Sequence, residues 1–438
     1  MSRLLMPDIR RRSLVKAGIA SALFPMPFVS RARAQSGPMK FWQFTAPGGS
    51  NPARVKWFTD LVDAWNADHE IKVELEYIPV AQYLNGTKLQ TAFAAGEGPD
   101  IFVISPGDFL RYYNGGVLMD LAPFMSDEAK ADFYDSAMAT RVVDGGIFGM
   151  PMEIEPMAMY YNKAMFAEAG IGEDQLPTTW DGLIELAREF TTAERYGVLF
   201  STEPGYYQNF TWYPFLWQGG GEITDFNSDA AVQALGFWKR AIDEGVAPRK
   251  ALGYGANDPV ANIGSGFCAM QNVGIWGVSA LRDNAPDLDY GVFRLPLPPG
   301  GEYTTDLGGW AFVANSQGPT PEAAAEFCVW ALGTMEDESI ERMVEWCTVA
   351  KSDLAPRRSA QERAVANGFF DEGVMKVFLE EIFPGGRGEP GVPPQVYKAV
   401  SDAIQACQLG GADPAEQAAQ AGKQIEAFLA GYTGAPIV

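Results

Sequence analysis

The chain has 438 residues, 47% hydrophobic and 12% aromatic, with a formal net charge of −22. Those values describe a well-packed globular protein with ample core for two domains or one large one. So acidic a chain would be repelled by nucleic acid and by anionic lipid surfaces, which excludes both as partners.

The N-terminus is a separate matter. Arg11-Arg12-Ser13-Leu14-Val15-Lys16 precedes an apolar run from Ala17 to Val29, then Ala32-Arg33-Ala34. A charged region, a short apolar region and a small-x-small site form a cleavable export signal, and thirteen residues are too few to span a bilayer. The arginine pair followed by x-Leu-Val-Lys resembles a twin-arginine signal, carried by proteins exported already folded. We expect cleavage after Ala34 and a mature protein in the periplasm. Removing the signal's seven Lys/Arg and one acid would move the net charge from −22 to −28. No cysteine stands directly after the cleavage site, where Gln35 lies, which argues against a lipid anchor, and no later segment is long and apolar enough for a membrane helix. Cys268, Cys328, Cys347 and Cys407 allow three pairings if all are bridged, but Cys268 and Cys328 sit in apolar runs and could equally be free core thiols.

Past the signal, Met39 to Phe44 is a short apolar run. Asn51-Pro52 supplies a helix cap and a first-turn proline, and Val55, Phe58, Leu61, Val62 and Trp65 follow at helical spacing. Ile71 to Tyr77 alternates as a half-buried strand does. A helix is predicted over 81–95, broken by Gly98-Pro99, and Ile101 to Ile104 reads as a buried strand. Strand, helix, strand, helix, strand implies a parallel sheet. Further helices are predicted over 163–169, 180–191, 229–244 and 321–332, and a last one capped by Asp413 and Pro414 and stopped by Gly431. No long linker separates two α/β lobes, so the chain should cross between them several times.

Around residue 150 two acids, Glu153 and Glu155, interrupt an apolar run. An ionised carboxylate in a dry core costs several kcal/mol unless it is paired or used, so this pair asks for a role. A hydrolase triad or a His-rich zinc site is disfavoured, because the only histidine is His69, in a polar stretch after a helix. Nucleophile-elbow, dinucleotide and Walker motifs are absent, so no cofactor is indicated. A two-carboxylate glycosidase remains open on residue types, with Glu153, Glu155 and Asp108 as its acids. Tyr206, Tyr207, Trp212, Trp217, Trp276 and Trp310 lie near Gly or Pro. Aromatic rings interleaved with acids suit a carbohydrate site, where apolar sugar faces stack and hydroxyls bond to carboxylates.

Four ordered motifs then carry a resemblance. They are the run Pro151 to Lys163, ending in Tyr161-Asn162-Lys163; Pro177-Thr178-Thr179-Trp180; Gly266 to Met270 with Gly274-Ile275-Trp276; and Gly308-Gly309-Trp310 before the Pro321–Leu332 helix. Together they resemble the extracellular solute-binding proteins of ABC importers, in the family that includes maltose-binding protein. The resemblance implies an α/β, two-lobed periplasmic-binding-protein fold with interlobe crossing strands and a ligand cleft. It places lobe 1 at 36–153 plus 304–350 and lobe 2 at 156–302 plus 354–438. Glu153 and Glu155 become hinge acids facing the cleft. By position Glu155 and Asp108 match ligand-binding acids of maltose-binding protein, Trp276 matches a stacking tryptophan, and Tyr397 lies near another. With Tyr207, Trp212, Gly309, Trp310 and, for an anionic ligand, Arg357, these complete the expected ligand-binding set. The implied function is delivery of a sugar to an ABC permease by a monomer without catalysis, metal or cofactor. A secreted glycosidase, or a binder of polyols, polyamines or glycerol phosphate, is the alternative.

Overall fold

The strand Met39–Gln43 buries Met39, Phe41 and Trp42 and feeds, through the helix Pro52–Asp68, into the parallel strand Val73–Tyr77. That helix turns Trp57, Phe58, Leu61, Val62 and Trp65 inward, the 3.6-residue stripe visible in its sequence. The helix predicted over 81–95 forms as two, Val80–Leu84 and Thr87–Ala95, because Gly86 between them adopts a left-handed φ of +70°. Ile101–Ile104 is buried throughout and joins Met39–Gln43 in parallel. Ala311–Ala314, antiparallel to Ile101–Ile104, and then Met150–Pro151 complete the first sheet. The computed structural model describes residues 37–49, 51–84 and 86–437; the export signal read at residues 1–34 and the side chain of Tyr206 lie outside them.

A second sheet runs in the order Gly386–Gly388, Thr305–Gly308, Glu155–Asn162, Cys268–Gly274, Tyr196–Leu199, with Tyr290–Phe293 also paired to Glu155–Asn162. Glu155–Asn162 is buried at all eight positions. Its alternate residues serve two cores. Met157, Met159 and Tyr161 pack with Phe166, Leu183 and Phe200 on one face, while Ala158 and Tyr160 pack with Ile263, Val278 and Phe378 on the other. Period-two alternation in a strand covered on both sides gives this pattern and an unbroken apolar sequence. The aromatic stretch after Gly205 is itself a helix, Tyr206–Gln218, with Pro214 inside it and Trp212, Tyr213, Phe215 and Leu216 wholly buried.

The first core, built on Phe41, Phe58, Phe102, Phe312 and Phe327, is separate from these two. Its edge-to-face pairs include Phe41 with Phe312 at 5.0 Å and 79°, each such contact being worth about 0.5–1.5 kcal/mol beyond area burial. The architecture is a two-lobed α/β fold. At three places the chain passes between the first core and the other two. Met152 belongs to the first core and Ile154 to the third; Leu307 to the third and Phe312 to the first; Ala350 to the first and Leu354 to the third. Smaller exceptions are Ala355, Ala360 and Ala435, which pack in the first core, and Ala137, which packs in the third. All four cysteines are free and buried, which settles the open pairing. Among the described residues no helix is long and apolar enough to cross a membrane.

Candidate ligand-binding cleft

The three crossings lie side by side. Met152 N–H donates to Trp310 O at 2.8 Å, and Ile154 N–H to Leu354 O at 2.8 Å. Each crossing brings chemistry to the same place: Glu153 and Glu155 on the first, Gly308-Gly309-Trp310 on the second, Lys351 and Asp353 on the third. Lys351, 4% exposed, is ion-paired through Nζ with Glu155, with Asp353 Oδ2 at 2.7 Å and with Glu153 Oε1 at 3.5 Å. The three carboxylates approach one another within 4.8 Å, the spacing of a cation site, and the Lys351 ammonium is the cation they enclose. Burial opposes that ammonium, but Asp353, Glu153 and Glu155 outweigh it and hold the lysine charged. Burial raises the Glu155 carboxyl, partly offset by Lys351, and raises Asp353 further.

The two glutamates have different jobs. Glu153 accepts the Trp310 N–H at 2.9 Å through one oxygen and the Trp346 Nε1–H through the other, and so fixes two tryptophans. Gly309 makes this possible: its φ is +127°, and a Cβ there would lie 2.2 Å from Glu153 O. Glu155, two residues on, reaches a cavity of about 160 Å³. Tyr207, Trp276, Gly309 and Trp310 line the same cavity, with Lys351 and Glu389. Its walls are ringed: Trp276 packs at 5.9 Å from Tyr207 and 6.0 Å from Phe210, and Trp310 meets Phe44 edge-on at 4.9 Å. Several lining polar atoms have no hydrogen-bond partner among the described residues, namely Arg54 Nε, Ser105 Oγ, Asn257 Oδ1 and Glu389 Oε1. Such groups are costly unless a ligand or water satisfies them.

The other sequence-predicted residues are elsewhere. Glu153 sits behind the tryptophans rather than on the wall. Asp108, in the first turn of the helix Pro106–Asn114, pairs with Arg111 at 3.4 Å beside the cleft, and burial raises its carboxyl. Trp212 is fully buried, with Phe226 at 5.7 Å and its Nε1–H aimed at Ala234 O, 3.4 Å away, so it is core and not a platform. Arg357 is also fully buried; it donates to Asp132 at 2.7 Å and Leu332 O at 3.0 Å and pins helices together instead of meeting an anion. Tyr397 is buried in the helix Pro394–Gln408, away from the cavity wall. Sequence reasoning missed Lys351, Glu389, Arg54 and Phe210. Lys351 and Asp353 had the same signal as the glutamates, charges placed beside the apolar Val349-Ala350 and Leu354-Ala355; the other three had none.

Residues 48–337 match the family described as bacterial extracellular solute-binding protein. An arabinooligosaccharide-binding protein of Bacillus subtilis (strain 168) is 24% identical over 371 residues, covering 80% of this chain and 82% of the relative. The diacetylchitobiose binding protein DasA of Streptomyces coelicolor is 28% identical over 345 residues, covering 74% and 77%. In fold, an ABC transporter solute-binding protein from Thermotoga lettingae TMO, solved with α-D-tagatose, superposes with a TM-score of 0.75 at 23% identity over 90% of this chain and 100% of that one. With more than half of its length matched, the chain belongs to the bacterial extracellular solute-binding protein family.

Proposed function

We propose that the protein is the substrate-binding component of an ABC importer, taking a sugar into the cleft at the strand crossings and presenting it, lobes closed, to a membrane permease. The observation that carries this reading is the wall itself: aromatic rings for apolar sugar faces, next to buried polar atoms that lack partners among the described residues. The sugar-binding relatives support it. The reading includes lobes at 36–153 with 304–350 and 156–302 with 354–438, supported by the changes of core membership at the three crossings. It also includes a cleaved signal ending at Ala34, a periplasmic monomer and no catalysis. Against the glycosidase, Glu153 and Glu155 both engage one buried lysine, which leaves neither free for acid–base work.

The test is a thermal-shift screen against mono- and oligosaccharides, polyols, polyamines and glycerol phosphates. A sugar at a hundred times its dissociation constant should add about 2.7 kcal/mol of stability, and prolonged incubation should leave an oligosaccharide intact. Stabilisation by non-carbohydrates alone, or steady product formation, would overturn the reading.

A further inference from the structure

Glu389 stands apart from the lysine cluster. It follows the short strand Gly386–Gly388, lines the cleft, is 3% exposed, and its Oε1 has no hydrogen-bond partner among the described residues. Its surroundings are acidic. Asp306, one strand over, is fully buried, its carboxylate has no side-chain hydrogen-bond partner among the described residues, and the Arg387 that acts on it is paired with Glu222. Asp108 and Glu155 also bear on Glu389, as does Arg141 from the opposite sense. Arg141 is committed elsewhere, donating at 2.6 Å to both Ala137 O and Gly309 O. Asp108 has Arg111, while Lys351 and Arg54 act on Glu155. The cleft and the strand beside it therefore hold more buried carboxylate than cation, and of the excess acids Glu389 is the one on the ring-lined wall. Rings and a desolvated carboxylate together select an ammonium group.

We propose that the ligand is an amino-bearing sugar, whose protonated amine docks on Glu389 while its ring stacks on the cleft aromatics. This rests on the carbohydrate reading and narrows it. Burial, then Asp108 and Glu155, push the Glu389 carboxyl up to about 8 against the pull of Arg141 and the Gly107 N–H, and Glu389 in turn raises Asp306. Without ligand, the same surroundings favour the protonated form of Glu389. An incoming ammonium displaces that proton to solvent, leaving an ammonium–carboxylate pair.

Isothermal titration at pH 6.5 with glucosamine, galactosamine and mannosamine, their neutral parent hexoses and their N-acetyl forms tests this. At least one amine should bind tenfold or more tightly than its parent and its N-acetyl form, with proton release seen as a buffer-dependent enthalpy. In Glu389→Gln, whose folding is checked by its melt, the amine-to-parent ratio should fall to about one and proton release should vanish. An amine preference that survives the substitution, or no preference in the wild type, overturns the inference. If the variant does not fold, wild-type titration decides: amine binding without proton release overturns it. Binding by neutral sugars alone leaves the carbohydrate reading standing, whereas binding by no carbohydrate in either screen removes both.

Discussion

The Arg54 guanidinium, on the helix Pro52–Asp68, donates to Ser279 Oγ on the helix Trp276–Asn284 at 2.8 Å, across 225 residues of sequence. Arg54 and Trp276, on these helices, line the cleft, and in the proposed lobe division the bond bridges the two lobes. Loss of the partner hydroxyl should favour the open form. A hydrogen bond to a charged, partly exposed group contributes about 1 kcal/mol. Ser279→Ala should therefore bind ligand roughly fivefold more weakly and show a larger radius of gyration by X-ray scattering when ligand-free. Unchanged affinity and radius would mean the bond does not hold the lobes.

Lys351 is the ammonium that three carboxylates enclose. Lys351→Met strands them without that counter-charge, at a cost of about 3–5 kcal/mol, read as a melting temperature lower by several degrees. Protonation relieves the stranded acids, so the deficit relative to wild type should shrink as pH falls from 7 to 5. A deficit independent of pH would place the loss in packing.

The wild type has its own pH signature. Burial raises Glu155, Asp353, Asp306, Asp108 and Glu389, the last to about 8 from an ordinary 4.5. Acids raised in the fold stabilise it fully below their unfolded pKa, and that contribution is lost as pH rises through the folded one. Ligand-free protein should therefore melt at progressively lower temperature between pH 4.5 and 8, as followed by calorimetry. Glu389→Gln should flatten the upper part of that slope.

Gly309→Ala tests the second crossing. A Cβ would press on the Glu153 carbonyl and would need a φ that L residues avoid, a strain of roughly 1–3 kcal/mol. The expected outcome is a lower melting temperature together with weakened ligand binding, because Trp310 N–H loses its register with Glu153.

Trp276 is half-buried between Tyr207 and Phe210. Trp276→Ala should lose most ligand affinity and the ligand-induced fluorescence change, and melt near the wild-type temperature without ligand. A core tryptophan would instead lose about 3–5 kcal/mol in the ligand-free protein.

The sequence exposed the frame where local patterns are strong. Ile101–Ile104 and Pro321–Leu332 have the bounds that apolar runs, proline and glycine predict. It also flagged Glu153 and Glu155, since acids in an apolar run demand partners. The partner, Lys351, was hidden because 196 residues separate it from Glu155, and pairing at that range depends on how three crossings align. Trp212 and Arg357 misled for one reason: composition says that a ring or a cation is present, but only packing says which way it faces. Trp212 shares a helix with Tyr207, five positions apart, and helical geometry sends one to the core and the other to the cleft.

The free, buried cysteines bear on how the protein can be made. Burial pushes the Cys407 thiol up to about 12 and the others higher, so thiolate, the species that oxidants attack, is scarce in the folded chain. Cys347 lies at the third crossing, its Sγ near Met152 O and Leu354 O, and Cys328 and Cys407 sit in helices packed in different cores. The fold therefore contains no disulfide to form, and the same native chain is expected from a reducing cytosol as from an oxidising compartment.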